Sequence, residues 1–329
     1  MATIQDIANE VGISKAAVSR ILNRKGSFNA GTKEKVFRVA KDLGYLVPRE
    51  NQLLDEKFFK TIGAVFPTGH IPYYSVLVSL LEQVAYSFGY SLMICSSLYD
   101  KEKEELFFEQ LREKRISGII YGSFTNDVNL PINEDLPIVT VGHRLSEDIP
   151  VIKSDNHLAG IIAAKHLIAK GCKNLLYISA YQVGKNNDER YKGFIEELEK
   201  SNKKCNAYFT GTNERKKDIP SVISQMFIEN VDADGIFVES YTLAVQCLKV
   251  CQSLGISIPE DLKIVTYGNQ LLNAYSFPEI TMISENTNQI AYEAVSALVD
   301  IIEHEDNTEP DLKDNQIVIP VSLIEKQTT

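Results

Sequence analysis

TIQDIANEVGISKAAVSRILN, residues 3–23, decides how the N-terminal end of the chain folds. Apolar residues recur in it at helical spacing before Gly12, and a second such run follows Ser14. Gly12 tolerates the positive φ of a tight corner, and the small Ala8 lets two helices cross closely. Thr3 precedes the first helix, and Ser14 is expected to cap the second. The spacing therefore predicts a helix-turn-helix.

A third amphipathic helix follows the pair. Thr32 is predicted to cap it and Gly44 to end it, and its apolar stripe consists of Val36, Val39, Ala40 and Leu43. Residues 1–49 hold nine Lys/Arg and four Asp/Glu, a balance of +5, whereas the remainder holds 25 basic and 40 acidic residues, a balance of −15. Three short helices can also form a protein-binding bundle, but the basic balance favours DNA.

The second helix of the pair is expected to enter the major groove with its N-terminal residues on base edges. Its exposed arc, which is predicted to read bases, consists of Lys15, Ala16, Ser19 and Arg20. Arg20 suits a bidentate contact to guanine, and Ala16 suits the thymine methyl group. The remaining predicted DNA contacts of the headpiece, most of them suited to phosphates, are Thr3, Ser14, Asn23, Asn29, Thr32 and Tyr45.

This run, continued by TKEKVFRVAKDLGY at residues 32–45, resembles the DNA-binding headpiece of the lactose/galactose repressor family. The resemblance implies that Lys15, Ala16 and Arg20 read the operator. It also implies a hinge after Tyr45 that folds on DNA and inserts a leucine into the minor groove.

An ungapped alignment places Leu54 at the position of the inserted leucine. The segment departs from the family pattern at Val47, Pro48 and Asn51, and it adds negative charge at Glu50, Asp55 and Glu56. We therefore expect the hinge to contact DNA more weakly than in typical members. The alternative is a plain linker in which Leu54 packs against its own protein.

From Thr61 onward, short apolar runs alternate with amphipathic segments. Strands are predicted at residues 62–66, 91–95, 118–121, 138–141, 175–179, 235–238 and 263–267, and helices at 74–88, 102–115, 157–170, 188–200, 218–230, 242–254 and 288–303. This alternation predicts an α/β body of parallel sheets covered on both faces. Two such blocks, separated near residues 155–160, predict two Rossmann-like lobes with a ligand cleft at the carboxyl ends of their strands.

The body resembles the effector domain of the same family, which is itself similar to periplasmic sugar-binding proteins. The segments that carry the resemblance are PYY at 72–74, SDN at 154–156, RYKGF at 190–194, ADGIFVES at 233–240 and GISIPEDLKIVTYGN at 255–269. It implies a headpiece over 1–46, a hinge over 47–60 and an effector-binding and dimerisation domain over 61–329. The chain would cross between the lobes three times, with lobe 1 at about 61–156 and 286–310, and lobe 2 at about 157–285 and 316–329.

Arg190 is the leading candidate for effector binding, because its fixed donors can bracket sugar hydroxyls or a carboxylate and the family uses the matching arginine. The alternative is a surface helix arginine paired with Glu196 or a neighbouring residue. Tyr73 and Tyr74 can stack on a pyranose, or they can pack in the core or between the lobes on closure. Further candidates in the second lobe, where this chain departs from the family's usual acids and glutamine, are Ser240, Tyr241, Asn269 and Glu285.

Motifs of catalysis are missing from the sequence: it has no phosphate loop, no nucleophile elbow and no zinc-binding helix motif. The five cysteines and five histidines form no metal-ligand spacing, so neither a cofactor nor a metal is expected. The opening MATIQDIANE lacks the features of an export signal, and no apolar run is long enough to span a bilayer. We therefore expect a cytoplasmic protein without a membrane partner.

Together these features predict a homodimeric repressor of a carbohydrate-utilisation operon, controlled by a sugar-like effector. The helices at 74–88 and 242–254 are the expected dimerisation surfaces. One alternative is a regulator that responds to a purine or another metabolite. Another is an α/β sugar-processing enzyme fused to a DNA-binding head, which requires an acid–base set in the cleft. A transport-type binding protein would require an export signal and no DNA-binding head.

Overall fold

The structure, a computed structural model, describes residues 3–22, 28–42, 60–67, 71–98, 100–113, 115–122, 136–180, 188–210, 218–303 and 315–329. The chain divides into two compact units, residues 1–60 and 61–329. Three predicted DNA contacts, Asn23, Tyr45 and Leu54, lie outside the described residues, as does the predicted hinge up to residue 59.

The N-terminal unit contains helices α1 (Ile4–Val11), α2 (Lys15–Leu22) and α3 (Ala30–Asp42). The predicted helix-turn-helix is confirmed, because Gly12 adopts a φ of 82° and its N–H donates to the carbonyl oxygen of Ala8 at 2.9 Å. All three helices contribute to a small core made of Ile7, Ala8, Val11, Val18, Ile21, Leu22, Val36 and Ala40.

Polar side chains cap all three helices of this unit. The hydroxyl of Thr3 accepts from the N–H of Asp6 at 3.3 Å, and the Asp6 carboxylate accepts from the N–H of Thr3 at 2.8 Å, which forms a capping box. Ser14 Oγ accepts from the N–H of Ala17 at 3.1 Å. The prediction that Thr32 caps α3 was wrong. Asn29 Oδ1 accepts from the N–H of Thr32 at 2.7 Å, because asparagine is as good a cap and the helix already begins at residue 30.

The first lobe of the body is built on a parallel six-stranded sheet in the order β11-β5-β4-β3-β1-β2. Its strands are β1 (Thr61–Phe66), β2 (Ser91–Ser96), β3 (Gly118–Tyr121), β4 (Ile138–Val141), β5 (Val151–Ser154) and β11 (Gln316–Ile319). On one face pack α4 (Pro72–Ser87) and α10 (Thr287–Glu303), and on the other packs α5 (Lys101–Arg112).

The second lobe has a sheet in the order β12-β10-β9-β8-β6-β7, in which β12 alone runs antiparallel to its neighbour. The strands are β6 (Leu175–Ser179), β7 (Cys205–Phe209), β8 (Gly235–Val238), β9 (Lys263–Gly268), β10 (Thr281–Ser284) and β12 (Ser322–Ile324). On one face pack α6 (Asn156–Ala169) and α7 (Glu189–Lys200), and on the other α8 (Ile219–Glu229) and α9 (Tyr241–Leu254). Among the described residues, no helix combines the length and the apolar character that a bilayer crossing needs.

The predicted two-lobed α/β body is therefore confirmed, but the tail prediction was wrong in part. Residues 316–324 were predicted to lie in the second lobe. Pro320 interrupts them because proline has no N–H to donate to a ladder. Residues before it pair with β5 in the first sheet, and only those after it pair with β10 in the second.

The described chain passes between the lobes at three places, which lie side by side. They are Asp155, the pair Glu285–Asn286 and the pair Pro320–Val321. The N–H of Asp155 donates to the carbonyl oxygen of Ile319 at 2.9 Å, and Ser154 Oγ donates to Glu285 Oε2 at 3.3 Å. The crossing segments are thus hydrogen-bonded to one another.

Two glycines let α6 and α7 touch backbone to backbone. A Cβ on Gly160 would collide with the carbonyl oxygen of Arg190 and lie 2.5 Å from the nitrogen of Phe194. A Cβ on Gly193 would collide with the carbonyl oxygen of His157. This contact fixes the start of α7, and with it Arg190, against the helix that follows the first crossing.

We expect Gly193→Ala to lower the free energy of unfolding of the body by about 1–3 kcal/mol, because the added methyl group must push the two helices apart. Urea unfolding of the body transition measures this loss. Lys192→Ala, an exposed position on the same helix, is the control and should change the body transition by less than about 0.5 kcal/mol. Equal stability of the wild type and Gly193→Ala would show that the helices are not in backbone contact.

Candidate functional site

The solvent side of α2 carries the residues that were predicted to read bases. Lys15, Ala16 and Arg20 are exposed and Ser19 is half-buried, while the inward face, which enters the core, consists of Val18, Ile21 and Leu22. The helix therefore presents its N-terminal half and one arginine as a continuous polar surface, which is the geometry of major-groove recognition.

The predicted phosphate contacts within the described residues lie at helix starts. Ser14 and Asn29 are exposed caps of α2 and α3, Thr3 is the exposed cap of α1, and Thr32 is half-buried in the first turn of α3. A helix start offers free backbone N–H groups and the positive end of the helix dipole, both of which suit phosphate oxygens. Their capping role and a phosphate contact are thus compatible.

Arg190, the leading effector candidate, is the second residue of α7 and is largely buried. Its Nη1 donates to the carbonyl oxygen of Glu239 at 2.7 Å and lies 3.6 Å from Glu239 Oε1. The guanidinium carbon is 4.2 Å from the centre of the Tyr267 ring, a cation–π contact. Glu196, the alternative partner considered for Arg190, pairs instead with Lys200 at 2.7 Å and His157 at 2.9 Å.

Glu285 links strands of both lobes through one buried carboxyl group. Its Oε2 accepts from Tyr267 OH at 2.9 Å and from Ser154 Oγ at 3.3 Å, and its Oε1 accepts from Thr287 Oγ1 at 3.0 Å. Ser154 ends β5 of the first lobe and Tyr267 belongs to β9 of the second. Burial raises the pKa of Glu285, against the opposing effect of the three donors and of Arg190.

Glu239 and Asp188 add two further carboxyl groups around Arg190. Glu239 directly follows β8 and is buried, and burial raises its pKa, opposed by Arg190 and assisted by Asp188. Asp188 caps α7 by accepting from the N–H of Tyr191 at 3.2 Å, and its Oδ2 accepts from Tyr177 OH at 2.6 Å. One arginine is therefore set among three acidic side chains.

Tyr73 and Tyr74 both pack against the core of the first lobe, and Tyr73 also interacts electrostatically with the Arg190 cluster. Burial and the Glu285 carboxyl group raise the pKa of Tyr73. The rings of Tyr73 and Tyr74 meet edge to face with their centres 5.1 Å apart. The Tyr74 ring lies 5.5 Å from that of Phe66.

Ser240 lines a cavity of about 370 Å³ at the carboxyl ends of the second lobe's strands. The cavity adjoins the Arg190 cluster, because Ala180 lines it and also donates its N–H to Glu239 Oε2 at 3.4 Å. Its described lining is Ala180, Thr210, Asp218, Ile219, Pro220, Ser240, Thr242, Leu243 and Gln246. Its size is in the range of small-molecule sites.

Tyr241 and Asn269, two other predicted ligand residues, are buried. Asn269 Nδ2 donates to Thr287 Oγ1 at 2.6 Å, and its Oδ1 accepts from the N–H of Leu271 at 2.8 Å. The nitrogen and the oxygen of this side-chain amide are thus both hydrogen-bonded within the protein. The hydroxyl of Tyr241 is buried without a hydrogen-bond partner within the described part of the chain.

Sequence reasoning missed Ser154, Glu239, Tyr267 and Thr287 as site residues. Tyr267 lies at the carboxyl end of a predicted strand, and Glu239 follows another. The rule that ligands bind at the carboxyl ends of parallel strands was therefore a signal for both. Ser154 gave no such signal, because β5 was not among the predicted strands.

Two family models match the chain: the lacI family of bacterial regulatory proteins over residues 3–47, and the periplasmic binding protein-like domain over residues 164–329. The sucrose operon repressor of Streptococcus mutans is 30% identical over 325 residues, covering 98% of each chain. The ribose operon repressor of Halalkalibacterium halodurans is 28% identical over 336 residues, covering 100% of this chain and 97% of that protein.

Among solved structures, a periplasmic binding protein/LacI transcriptional regulator from Alkaliphilus metalliredigens, complexed with D-xylulofuranose, has a TM-score of 0.70 and 28% identity, covering 82% of this chain and 99% of that one. These matches confirm the resemblance carried by the headpiece and the body. The chain belongs to the lacI family of bacterial regulatory proteins and is a transcription regulator rather than an enzyme.

Proposed function

We propose that the protein represses a carbohydrate-utilisation operon and is controlled by a sugar that binds at the Arg190 cluster. The observation that carries this proposal is the position of Arg190, which is held by Glu239 and Tyr267 beside a cavity at the carboxyl ends of the second lobe's strands. The sucrose and ribose operon repressors named above and the D-xylulofuranose complex, all with this architecture, support a sugar as effector.

For operator binding, the proposal assigns base reading to Lys15, Ala16, Ser19 and Arg20, with the capped helix starts on phosphates. Two heads of a homodimer would bind the half-sites of a near-palindromic operator in the cytoplasm. Dimerisation is assigned to α4 and α9, and minor-groove insertion to Leu54 of the hinge.

For control, the effector must bind one arrangement of the lobes better than another. The Arg190 cluster suits this role because it receives groups from both lobes: Ser154 and Tyr73 from the first, and Tyr267 and Arg190 from the second. A ligand that bonds these groups changes the relative stability of lobe arrangements, and the hinges transmit the change to the heads.

We expect Arg20→Ala to weaken operator binding by about 1–3 kcal/mol and to relax the preference at one base position, because a bidentate base contact is lost. Fluorescence anisotropy with a series of single-base operator variants measures both effects. Arg38→Ala, an exposed arginine on α3, is the control and should leave the base preference unchanged. An Arg20→Ala protein with the wild-type preference would place the base-reading surface elsewhere.

A sugar at 100 times its dissociation constant should stabilise the body by about 2.7 kcal/mol, which a thermal melt detects. We expect one member of a panel of mono- and disaccharides to do so, and Arg190→Ala to abolish the shift. Lys192→Ala, exposed on the same helix, is the control and should retain it. If a purine or an amino acid shifts the melting temperature and no sugar does, the protein remains a transcription regulator but the proposed sugar effector is refuted.

A further inference from the structure

We infer that the effector is an uncharged, unphosphorylated sugar and that the site discriminates against sugar phosphates. This inference rests on the proposed function, since it assumes that a sugar binds at the Arg190 cluster. It is carried by the charges around Arg190, by the acids at three helix starts and by the lining of the adjoining cavity.

The charge of Arg190 is already balanced within the cluster. The Glu239 carboxyl oxygen Oε1 lies 3.6 Å from Arg190 Nη1, Asp188 caps the helix on which Arg190 is the second residue, and Glu285 accepts from the hydroxyl of the tyrosine on which the guanidinium stacks. Three carboxyl groups thus surround the single positive charge of Arg190, so these four groups hold no surplus positive charge for an anion.

A neighbouring lysine does not change this balance. Lys153, on β5 of the first lobe, lies with its Nζ 3.6 Å from Glu189 Oε1, at the start of α7 beside Arg190. Its charge is matched by that carboxylate. A phosphate group at Arg190 would therefore face acidic side chains and displace existing ion pairs, whereas an uncharged hydroxyl can donate to one group and accept from another.

Acidic residues also lie at the helix starts of the site. Helix N-termini ordinarily attract phosphates, and α7, α8 and α9 all begin at this edge of the second lobe. Asp188 caps α7, Asp218 precedes α8, and Glu239 lies just before Ser240 at the start of α9. Pro220 additionally lacks an N–H in the first turn of α8. At α7 the Asp188 carboxylate, which accepts from the N–H of Tyr191, takes the position that an anionic ligand would need, and at α8 and α9 an acid lies beside the helix start and would repel an anion there.

The cavity next to the cluster is polar but not basic over its described lining. Thr210, Ser240, Thr242 and Gln246 supply hydroxyl and amide groups, and Asp218 is the one charged residue among the described residues of the lining. Hydroxyls and amides donate and accept equally well, as sugar hydroxyls do, whereas a phosphate oxygen only accepts. The lining therefore matches the hydrogen-bonding pattern of an unmodified sugar.

Matched pairs of ligands test this inference on the full-length protein. Calorimetric titration would compare sucrose with sucrose 6-phosphate, fructose with fructose 6-phosphate, and ribose with ribose 5-phosphate. We expect the binding sugar to be held at least about tenfold more tightly than its phosphate. A sugar phosphate that binds as tightly as its parent sugar, or more tightly, would overturn this inference. The proposed function, control by a sugar-like effector, would still stand. Binding by no member of any pair would refute the sugar effector and this inference with it.

Charge variants show whether the carboxyl groups cause the discrimination. We expect Glu239→Gln to reduce the ratio of sugar to phosphate affinity by about tenfold, because one acidic group beside Arg190 becomes neutral. Glu199→Gln, exposed on α7, is the control and should keep the wild-type ratio. Asp188→Asn, read in the same way, replaces Glu239→Gln if that variant does not fold. An unchanged ratio in a folded variant would overturn the inference.

Discussion

The buried carboxyl group of Glu285 accepts hydrogen bonds from Ser154 of one lobe and Tyr267 of the other, at the place where the chain crosses between them. A buried carboxyl group is unfavourable unless its oxygens are satisfied, so the donors from both lobes must stay within hydrogen-bonding distance. The second oxygen bonds Thr287 at the start of α10, which ties the same group to the helix that returns to the first lobe. The arrangement of strands, crossings and Arg190 depends on this shared acceptor.

The Arg190 cluster shows how a site can be strongly polar without attracting anions. Its arginine supplies donors and a flat cationic face, but acidic side chains compensate the charge and the Tyr267 ring covers one face. Such a site orients a ligand by the geometry of its hydrogen bonds rather than by electrostatic attraction to a net charge. Specificity of this kind arises because a ligand that leaves buried polar groups unpaired binds more weakly, by the free energy that it costs to desolvate those groups.

Features that depend on the local spacing of residues were predicted correctly from the sequence. Features that depend on contacts between distant residues were not. The helix-turn-helix and the alternation of strands and helices follow from periodicity, and both were predicted correctly. The strands β5, β7 and β10 were missed, because stretches such as VIKS at 151–154 and TMIS at 281–284 are short, with polar residues inside or at their ends. Arg190 was found through the family resemblance, but its bond to Glu239 joins residues 49 positions apart and has no local signature.

The division of residues 316–324 between the two sheets bears on how the protein is made. Neither lobe is one uninterrupted piece of chain, and each sheet takes an edge strand from this last segment. During synthesis from the N-terminus, both sheets lack that strand until the segment has left the ribosome. Neither lobe can therefore complete the backbone hydrogen bonding of its sheet until residues 316–324 have been synthesised.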